Sequence, residues 1–314
     1  MKYSLMKFIG MLAIATFVAM SCDTVTDSEV GNELESTTMD QQLTPFAIPA
    51  GADVFWYQDF SEDTDGWFDF RGTITHNSGT ETATVQGDSW ECLGFVQDRG
   101  IEACYGGAFS QFDGYRDEWP GDYIAELDIY LNPDAEDFID GRWGFDYIVA
   151  SNRSNGEHLR DFVFHVGFSD GTLLVNGSNN SDLYTNEFKL LNDNDGNNYP
   201  INEAGWYTFQ HSFYDADGSL AVDLNLFDDN GDLLWSATRN NPADEIETIV
   251  GGNRYAWFTH VDAADGIEID NHALYQLVDE PTSMDDCKEG NFEAFGFRNQ
   301  GQCIRYVNTG QDSR

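Results

Sequence analysis

The sequence is poor in basic residues. Lys and Arg together number 15 against 56 Asp and Glu, which gives a formal net charge of −41. Nucleic acid and anionic lipid surfaces are recognised through cationic side chains, so neither is an expected partner. The acidic residues are spread along the chain, which is typical of a solvated acidic shell, with many weak calcium contacts as the alternative.

Long apolar runs are also missing. The apolar run at residues 8–20 is too short to cross a bilayer, which takes about 20 residues. It follows Lys2 and Lys7, and a basic segment before a short apolar one is typical of a secretory signal peptide. We therefore expect a signal peptide at residues 1–21.

A cysteine comes directly after this segment. The sequence Val18-Ala-Met-Ser-Cys22 resembles a bacterial lipobox, in which the chain is cut before the cysteine and the cysteine is acylated. The resemblance implies a lipid anchor on Cys22 and a place in the bacterial cell envelope, at the outer membrane or cell surface. Ala19 stands where the lipobox usually has Leu, so secretion without an anchor is the alternative.

Cysteines are few, and none of their spacings suggests zinc. Of the five, lipidation of Cys22 leaves Cys92, Cys104, Cys287 and Cys303, an even number in an oxidising compartment. Short loops favour pairing Cys92 with Cys104 and Cys287 with Cys303, although four cysteines allow three connectivities.

The chain divides by composition into a tether, a strand-rich region and a short tail. Residues 22–50 are rich in Ser, Thr, Asp, Glu and Gln and cannot bury enough apolar surface to fold, so we expect a disordered tether. Residues 51–278 contain no convincing long helix and no internal repeat. Short strands are expected there at residues 54–60, 67–75, 82–85, 123–131, 143–150, 159–168, 173–175, 254–261 and 267–277.

Residues 206–239 give the clearest strand pattern. Two runs alternate apolar and polar residues with a period of two, and Asp-Gly and Asn-Gly sequences separate them from each other and from a third run. We predict a meander of three strands, with one apolar face and one polar face. The apolar row comprises Tyr207, Phe209, His211 and Phe213 in the first strand and Leu220, Val222, Leu224 and Leu226 in the second.

The strand-rich region resembles a recurrent module of secreted bacterial proteins. The resemblance is carried by LDIYL (127–131), RDFVFHVG (160–167), AGWYTFQHSF (204–213), AVDLNLFD (221–228) and VGGNRYAWF (250–258). The module is similar in shape to the concanavalin and laminin-G type of jelly roll, which hosts lectins, carbohydrate-binding modules, glycoside hydrolases and polysaccharide lyases. It implies an all-β, two-sheet antiparallel jelly-roll sandwich and leaves the activity open.

Residues 279–314 are expected to form a small module on their own. The tail CKEGNFEAFGFRNQGQC (287–303) is similar to a short C-terminal motif of bacterial surface and secreted proteins, with Phe292 where that motif usually has Trp. So short a unit needs a disulfide or docking onto the sandwich to be stable.

Paired carboxylates are the first candidate for catalysis. Glycosidases of the laminarinase type place E-x-D-x-x-E on one strand, and Glu126-Leu-Asp128 approaches this pattern. Leu131 stands where the third acid belongs, and a second fragment, Glu268-Ile-Asp270, lacks the third acid as well.

A lyase-type base is the second candidate. His165 shares a strand face with Asp161, so it is a candidate base oriented by Asp161 or another acid, against the alternative of a hydrogen-bonded structural histidine. The G-x-S-x-G sequence around Ser169 leads into another strand and not a helix, which favours a hairpin turn over a nucleophile elbow.

Sugar binding makes weaker demands, namely aromatic rings and side chains that pair hydroxyl groups. The candidate ligand-binding residues are Gln210, Asp223, Asn225, Trp206 and Tyr130. The polar face of the meander is expected to be a site only if Glu126, Asp128 and His165 lie on the same side.

These patterns favour binding of an extracellular glycan without catalysis. The alternatives are a polysaccharide lyase or glycoside hydrolase of the same fold, and an adhesive or structural surface protein. No cofactor is required, but Asp63 and Asp65 precede Gly66 in an acid-rich turn and are candidates for a structural calcium site, with an ordinary turn as the alternative.

Overall fold

A computed structural model describes much of the chain from Ile48 to Thr309. The described residues are 48–49, 52–87, 89–90, 104–113, 119–134, 144–153, 155–169, 171–179, 198–246, 255–277, 281, 283–288, 290, 292, 295 and 297–309. All of them belong to one compact unit, Leu43–Arg314. The predicted signal peptide, Cys22, most of the tether and Cys92 lie outside the described residues.

The described residues form seventeen strands and one helix. In chain order the strands are β1 Asp53–Gln58, β2 Trp67–Phe70, β3 Gly72–Asn77, β4 Thr82–Gly87, β5 Ser89–Trp90, β6 Cys104–Tyr105, β7 Gly107–Ser110, β8 Tyr123–Leu131, β9 Gly144–Asn152, β10 His158–Ser169, β11 Thr172–Asn179, β12 Tyr199–Ile201, β13 Gly205–Ala216, β14 Ser219–Phe227, β15 Leu233–Asn240, β16 Ala256–Asp262 and β17 Ile267–Gln276. The helix is α1, Gln300–Thr309.

Two large antiparallel sheets face each other. Sheet A has eight strands in the order β15-β14-β13-β8-β17-β4-β3, with β1 also paired to β17. Sheet B has seven strands in the order β12-β11-β10-β9-β16-β7-β2, and β5 and β6 form a small third sheet. The predicted all-β, two-sheet jelly-roll sandwich is therefore confirmed.

The core lies between the two sheets because each long strand alternates apolar and polar residues. Leu127 and Ile129 on β8, Phe209 on β13 and Phe145 and Phe164 on the facing sheet are fully buried in one continuous cluster. Burying a side chain of this size stabilises the fold by about 2–3 kcal/mol. The alternation also sends every second side chain of β8, β13 and β14 to the face of sheet A turned away from sheet B.

The predicted meander is confirmed as β13, β14 and β15. Strand β13 pairs with β14 from Thr208 opposite Phe227 to Ala216 opposite Ser219. The tight turn between them places Asp217 at φ 55° and Gly218 at φ 94°. Two successive positive φ values are what a two-residue hairpin needs to match the twist of its strands.

The strand expected at residues 67–75 is wrong as a single element. Arg71 adopts φ 53° and divides it, so that β2 joins sheet B and β3 joins sheet A. Apolar and polar residues continue to alternate through such a corner. The alternation shows that one side of the strand is buried, but it does not show which sheet that strand joins.

Two histidines lie fully buried in the core. His211 Nε2 lies 3.2 Å from the carbonyl oxygen of Phe162, and the His272 ring packs edge-on against Trp56 with ring centres 4.8 Å apart. Burial lowers the pKa of both histidines to about 3, so both are neutral at physiological pH.

The C-terminal segment forms a separate small cluster around the disulfide. Cys287 and Cys303 are bonded, with Cα atoms 5.7 Å apart, as predicted, and Phe297 is buried against them. Helix α1 was not predicted. It begins after Asn299, whose Oδ1 accepts the backbone N–H of Gln302 at 3.0 Å and so caps the first turn.

The other predicted pair, Cys92 with Cys104, stays a prediction because Cys92 is outside the described residues. Within the part of the chain that the structure describes, no helix is long and apolar enough to span a membrane.

Candidate functional site

Polar side chains gather on the outer surface of sheet A, which we call the polar face. They come from β8, β13, β14 and β17, where the neighbouring residues along each strand point into the core. The polar face consists of Glu126, Asp128, Tyr130, Trp206, Thr208, Gln210, Asp223, Asn225, Asp270, Asn271 and Tyr275.

Glu126 lies near the centre of this face and is 3% exposed. Its Oε2 accepts hydrogen bonds from the Tyr275 hydroxyl at 2.9 Å and from Gln210 Nε2 at 3.1 Å. Burial raises the pKa of Glu126 to about 7, and the charge of Asp128 adds to the rise, while the two hydrogen bonds oppose it. Glu126 therefore holds a proton close to neutral pH, as a general acid must.

Two further carboxylates lie near it, Asp128 on the same strand and Asp270 on the neighbouring strand β17. Asp128 Oδ1 accepts the Thr208 hydroxyl at 2.5 Å, and Asn271 Nδ2 donates to Asp128 Oδ2 at 3.0 Å and to Asp270 Oδ2 at 3.2 Å. The Tyr57 hydroxyl in turn donates to Asn271 Oδ1 at 2.7 Å. Burial, with help from the charge of Asp128, raises the pKa of Asp270 to about 7.

A bulge in β17 brings Asn271 to this face. Asp270 lies opposite Asp128, but the next residue opposite β8 is Ala273, which faces Glu126. The extra residue is accommodated by Asn271 at φ 49°, a conformation that Asn tolerates better than most residues. Strand periodicity alone places Asn271 in the core row, so the sequence did not identify it. The only signal in the sequence is an Asn in the middle of a strand.

A chain of hydrogen bonds continues from Glu126 across the meander. Gln210 Oε1 accepts Asn225 Nδ2 at 3.1 Å, and Asn225 Oδ1 accepts the Ser236 hydroxyl at 2.7 Å. Asp223 Oδ1 accepts the Thr238 hydroxyl at 2.5 Å. Each amide is thereby held in one orientation, which presents a fixed pattern of donors and acceptors along the sheet.

The two ends of the polar face differ. At one end the rings of Tyr130 and Trp206 meet edge to face with centres 5.6 Å apart, and both side chains are partly exposed. At the other end Ile48 and Ala52 pack on Ile124, Ala273 and Tyr275 and cover the sheet. A long ligand therefore has access from the aromatic end.

The structure brings together seven of the predicted site residues and separates two. The seven are Glu126, Asp128, Gln210, Asp223, Asn225, Trp206 and Tyr130, all on the polar face. His165 and Asp161 lie on β10 in sheet B, whose outer surface is on the opposite side of the sandwich. The condition that Glu126, Asp128 and His165 lie on the same side is therefore met by the two carboxylates and not by His165, and a binding role of Asp223 and Asn225 stays a prediction.

His165 instead belongs to a buried network in sheet B. Its Nδ1 lies 2.7 Å from Asp146 Oδ1, and its Nε2 lies 2.6 Å from the Ser178 hydroxyl. This is the order of groups in a serine hydrolase, but Ser178 is 0% exposed and no substrate can reach it. The network therefore satisfies buried polar groups, as the structural interpretation of His165 expected.

Asp161 does not orient His165. It pairs with His158 at 2.8 Å, and Asp146 is the acid beside His165. The G-x-S-x-G sequence forms a hairpin turn, since Ser169 ends β10 and pairs with Thr172 at the start of β11. The preference for a turn over a nucleophile elbow is confirmed.

Asp63 and Asp65 form part of a turn held by local hydrogen bonds. Asp63 Oδ1 accepts the backbone N–H of Asp65 at 2.9 Å and Gln58 Nε2 at 3.2 Å. Among the described residues, no group of three or more His, Cys, Asp and Glu side chains could hold a metal ion. Calcium at this turn stays a prediction.

No protein-family model matches the chain, and no curated protein matches it in sequence. Solved structures similar to it include lectin I of Ulex europaeus, in complex with the methyl glycoside of α-L-fucose, at 9% identity and a TM-score of 0.41 over 72% of this chain and 98% of the lectin. Another is an endo-1,3-β-glucanase from Streptomyces sioyaensis, at 10% identity and a TM-score of 0.39 over 73% of this chain and 98% of the glucanase. Similarity this low carries over no ligand and no reaction.

Proposed function

We propose that the protein binds a polysaccharide along the polar face and that it does so without catalysis. One observation carries the proposal: a row of amide and carboxylate groups, each held by hydrogen bonds, crosses β8, β13, β14 and β15, and the rings of Trp206 and Tyr130 lie on the same face at one end of the β8–β13 pair. Sugars are bound by polar groups fixed in direction and by aromatic rings against the apolar face of the pyranose.

The exposed and the buried residues of the polar face have different roles in the proposed binding. Trp206 and Tyr130 are partly exposed and offer ring faces at the open end. Asn225 and Asp223 are partly exposed and offer amide and carboxylate atoms to hydroxyl groups. The buried residues beside them on the same face, such as Gln210, hold these groups in place and lower the entropy that binding would otherwise cost.

Binding to a panel of cell-wall and marine polysaccharides, measured by affinity electrophoresis and calorimetry, tests the proposal. We expect Asn225→Ala and Trp206→Ala each to weaken binding about tenfold, the effect of losing about 1.4 kcal/mol. Asp161→Ala, on sheet B, is the matched control and should leave affinity unchanged. If Asn225→Ala and Trp206→Ala bind as tightly as the wild type, the polar face is not the site.

A second function is favoured by the state of Glu126. Its pKa of about 7 suits a general acid, but Glu126 is 3% exposed, so hydrolysis requires the side chains around it to open. Asp128 on the same strand and Asp270 on the adjacent strand are candidates for the second carboxylate of a glycoside hydrolase. New reducing ends released from a bound polysaccharide, and lost in Glu126→Gln, would establish hydrolysis. Binding without new reducing ends supports the binding function alone.

The lyase alternative has less support. The predicted base, His165, lies on the other sheet, and burial raises the pKa of the Tyr275 hydroxyl away from the range that a base needs. An increase in unsaturated uronate absorbance on incubation with a uronate polysaccharide would reverse this conclusion. An adhesive or structural surface protein is the remaining alternative if no glycan binds.

The place of action that we propose is the bacterial cell envelope, through a lipid on Cys22, with secretion as the alternative. Mass spectrometry of the native protein tests the anchor, because acylation adds the mass of the lipid to the N-terminal peptide. We also retain structural calcium as a proposal for the acid-rich turns. A melting temperature that does not change with chelator contradicts it.

A further inference from the structure

A pocket of about 280 Å³ lies at the open end of the polar face. Trp206 belongs to both, so the pocket continues the row of aromatic and polar side chains. Its wall is built from β12, the loop before β13, the start of β13, the turn between β14 and β15 and the start of β15. Its lining includes Tyr199, Glu203, Trp206, Tyr207, Asp228 and Asp229.

The pocket is small for a ligand site. Sites for small molecules usually enclose about 300–1,000 Å³, so this one admits roughly a single sugar ring and not a chain. An oligosaccharide lying on the polar face could place its terminal sugar here and the remaining units over Trp206 and along the sheet.

The lining has aromatic rings and carboxylates but no basic residue. Glu203, Asp228 and Asp229 supply three carboxylates, and Tyr199 and Trp206 supply rings. Asp228 Oδ1 accepts the backbone N–H groups of Asn230 and Asp232, and Asp229 Oδ1 accepts Asn230 Nδ2, so in each of these two carboxylates the second oxygen is the one left for a ligand. The Glu203 side chain has no hydrogen-bond or ion-pair partner among the described residues. Carboxylates beside aromatic faces attract an organic ammonium group by charge and by cation–π interaction, and a net charge of −41 adds to this field.

The pKa of the Tyr207 hydroxyl is affected by the negative charges around the same pocket. The hydroxyl donates to the backbone carbonyl oxygen of Glu203 at 2.9 Å. Its pKa is raised to about 12, mainly by burial and then by nearby groups that include Glu203, Asp229 and Asp228. All three carboxylates line the same pocket as Tyr207.

We propose that this pocket binds the protonated amine of an amino sugar at the end of a glycan that lies on the polar face. The proposal rests on the proposed function, and it names the class of glycan: one with unacetylated hexosamine units. Asn202 Nδ2 donates to the Pro200 carbonyl oxygen and Asn230 Nδ2 to Asp229 Oδ1, which leaves their amide oxygens to accept from the ring hydroxyls. The carboxylates distinguish an amine from its neutral acetylated form.

The test compares two ligands of equal length, a glucosamine oligosaccharide and its fully N-acetylated counterpart, by calorimetry. The wild type should bind the glucosamine chain at least about tenfold tighter, and added salt should weaken only that binding. The double variant Glu203→Gln with Asp229→Asn should lose the preference and keep its affinity for the acetylated chain. Glu62→Gln with Glu157→Gln, two exposed acids outside the pocket, is the control for the loss of two charges.

The outcomes separate the two proposals. Equal wild-type affinities for the two chains, or a preference that survives in the double variant, overturn the amino-sugar inference alone. The same holds if neither chain binds while a neutral polysaccharide still does. If no glycan of any kind binds, the proposed function fails and this inference fails with it.

Discussion

Replacing Glu126 by Gln should stabilise the protein at alkaline pH and change little at acidic pH. Gln has the shape of the protonated Glu and keeps an acceptor oxygen for the Tyr275 and Gln210 hydrogen bonds, but it cannot ionise. The wild-type carboxyl is 3% exposed, so its ionisation places a charge where water cannot solvate it.

The size of the effect follows from the pKa. Burial raises the pKa of Glu126 from 4.5 to about 7, so the folded protein keeps a proton that the unfolded chain has lost. The folded state binds more protons in this window, and stability is therefore lost as the pH rises from about 4.5 to about 7. At about 1.4 kcal/mol for each pKa unit, the loss amounts to about 3 kcal/mol.

Urea unfolding at about pH 4.5 and about pH 8 measures this difference. Glu126→Gln should match the wild type at the lower pH and exceed it by about 3 kcal/mol at the higher pH. Glu62→Gln is the control, because it removes an exposed charge and no buried one. The buried His211 and His272 also affect stability in acid, but equally in both proteins. A variant that tracks the wild type at both pH values would refute the reasoning.

Three further changes test the structure elsewhere. Ser178→Ala removes the partner of His165 Nε2 in a buried network, so the free energy of unfolding, measured in urea, should fall by about 1–3 kcal/mol. An unchanged value would mean that the hydrogen bond is absent. Replacing Cys287 and Cys303 by Ala should destabilise the C-terminal segment by about 3 kcal/mol. In limited proteolysis this segment should then be cut earlier than the sandwich, and protease resistance equal to that of the wild type would contradict this. Gly266→Ala puts a Cβ at φ 82° and 2.8 Å from the Val85 carbonyl oxygen, so the melting temperature should fall, whereas Gly79→Ala, with open space around it, should leave it nearly unchanged.

The alternation of residues was sufficient to predict which side chains share a face. Gln210 and Asn225 lie on two strands that a two-residue turn connects. Because the turn fixes the register of the two strands, the pairing of these residues could be predicted from the local sequence. Trp206 and Tyr130 lie on the same face because their strands pair directly in sheet A. The disulfide between Cys287 and Cys303 was also predictable, since short loops close readily.

Corners and bulges were not predictable in this way. Arg71 turns one predicted strand into two strands of different sheets, and Asn271 moves from the core row to the polar face. The corner and the bulge each depend on a residue with positive φ, which contacts with distant strands maintain. The alternation of apolar and polar residues does not show where such a residue lies.

The sequence by itself determined the two-sheet sandwich, the apolar core rows and the polar row on the meander, because these follow from periodicity and turn chemistry along neighbouring residues. Only the tertiary structure decided which polar groups meet. It placed His165 on the opposite sheet from Glu126, set Asp270 beside Asp128, and built a pocket from segments of both sheets. The physical reason is that strand order and burial are set by contacts between residues far apart in the chain, and burial in turn sets the pKa of Glu126.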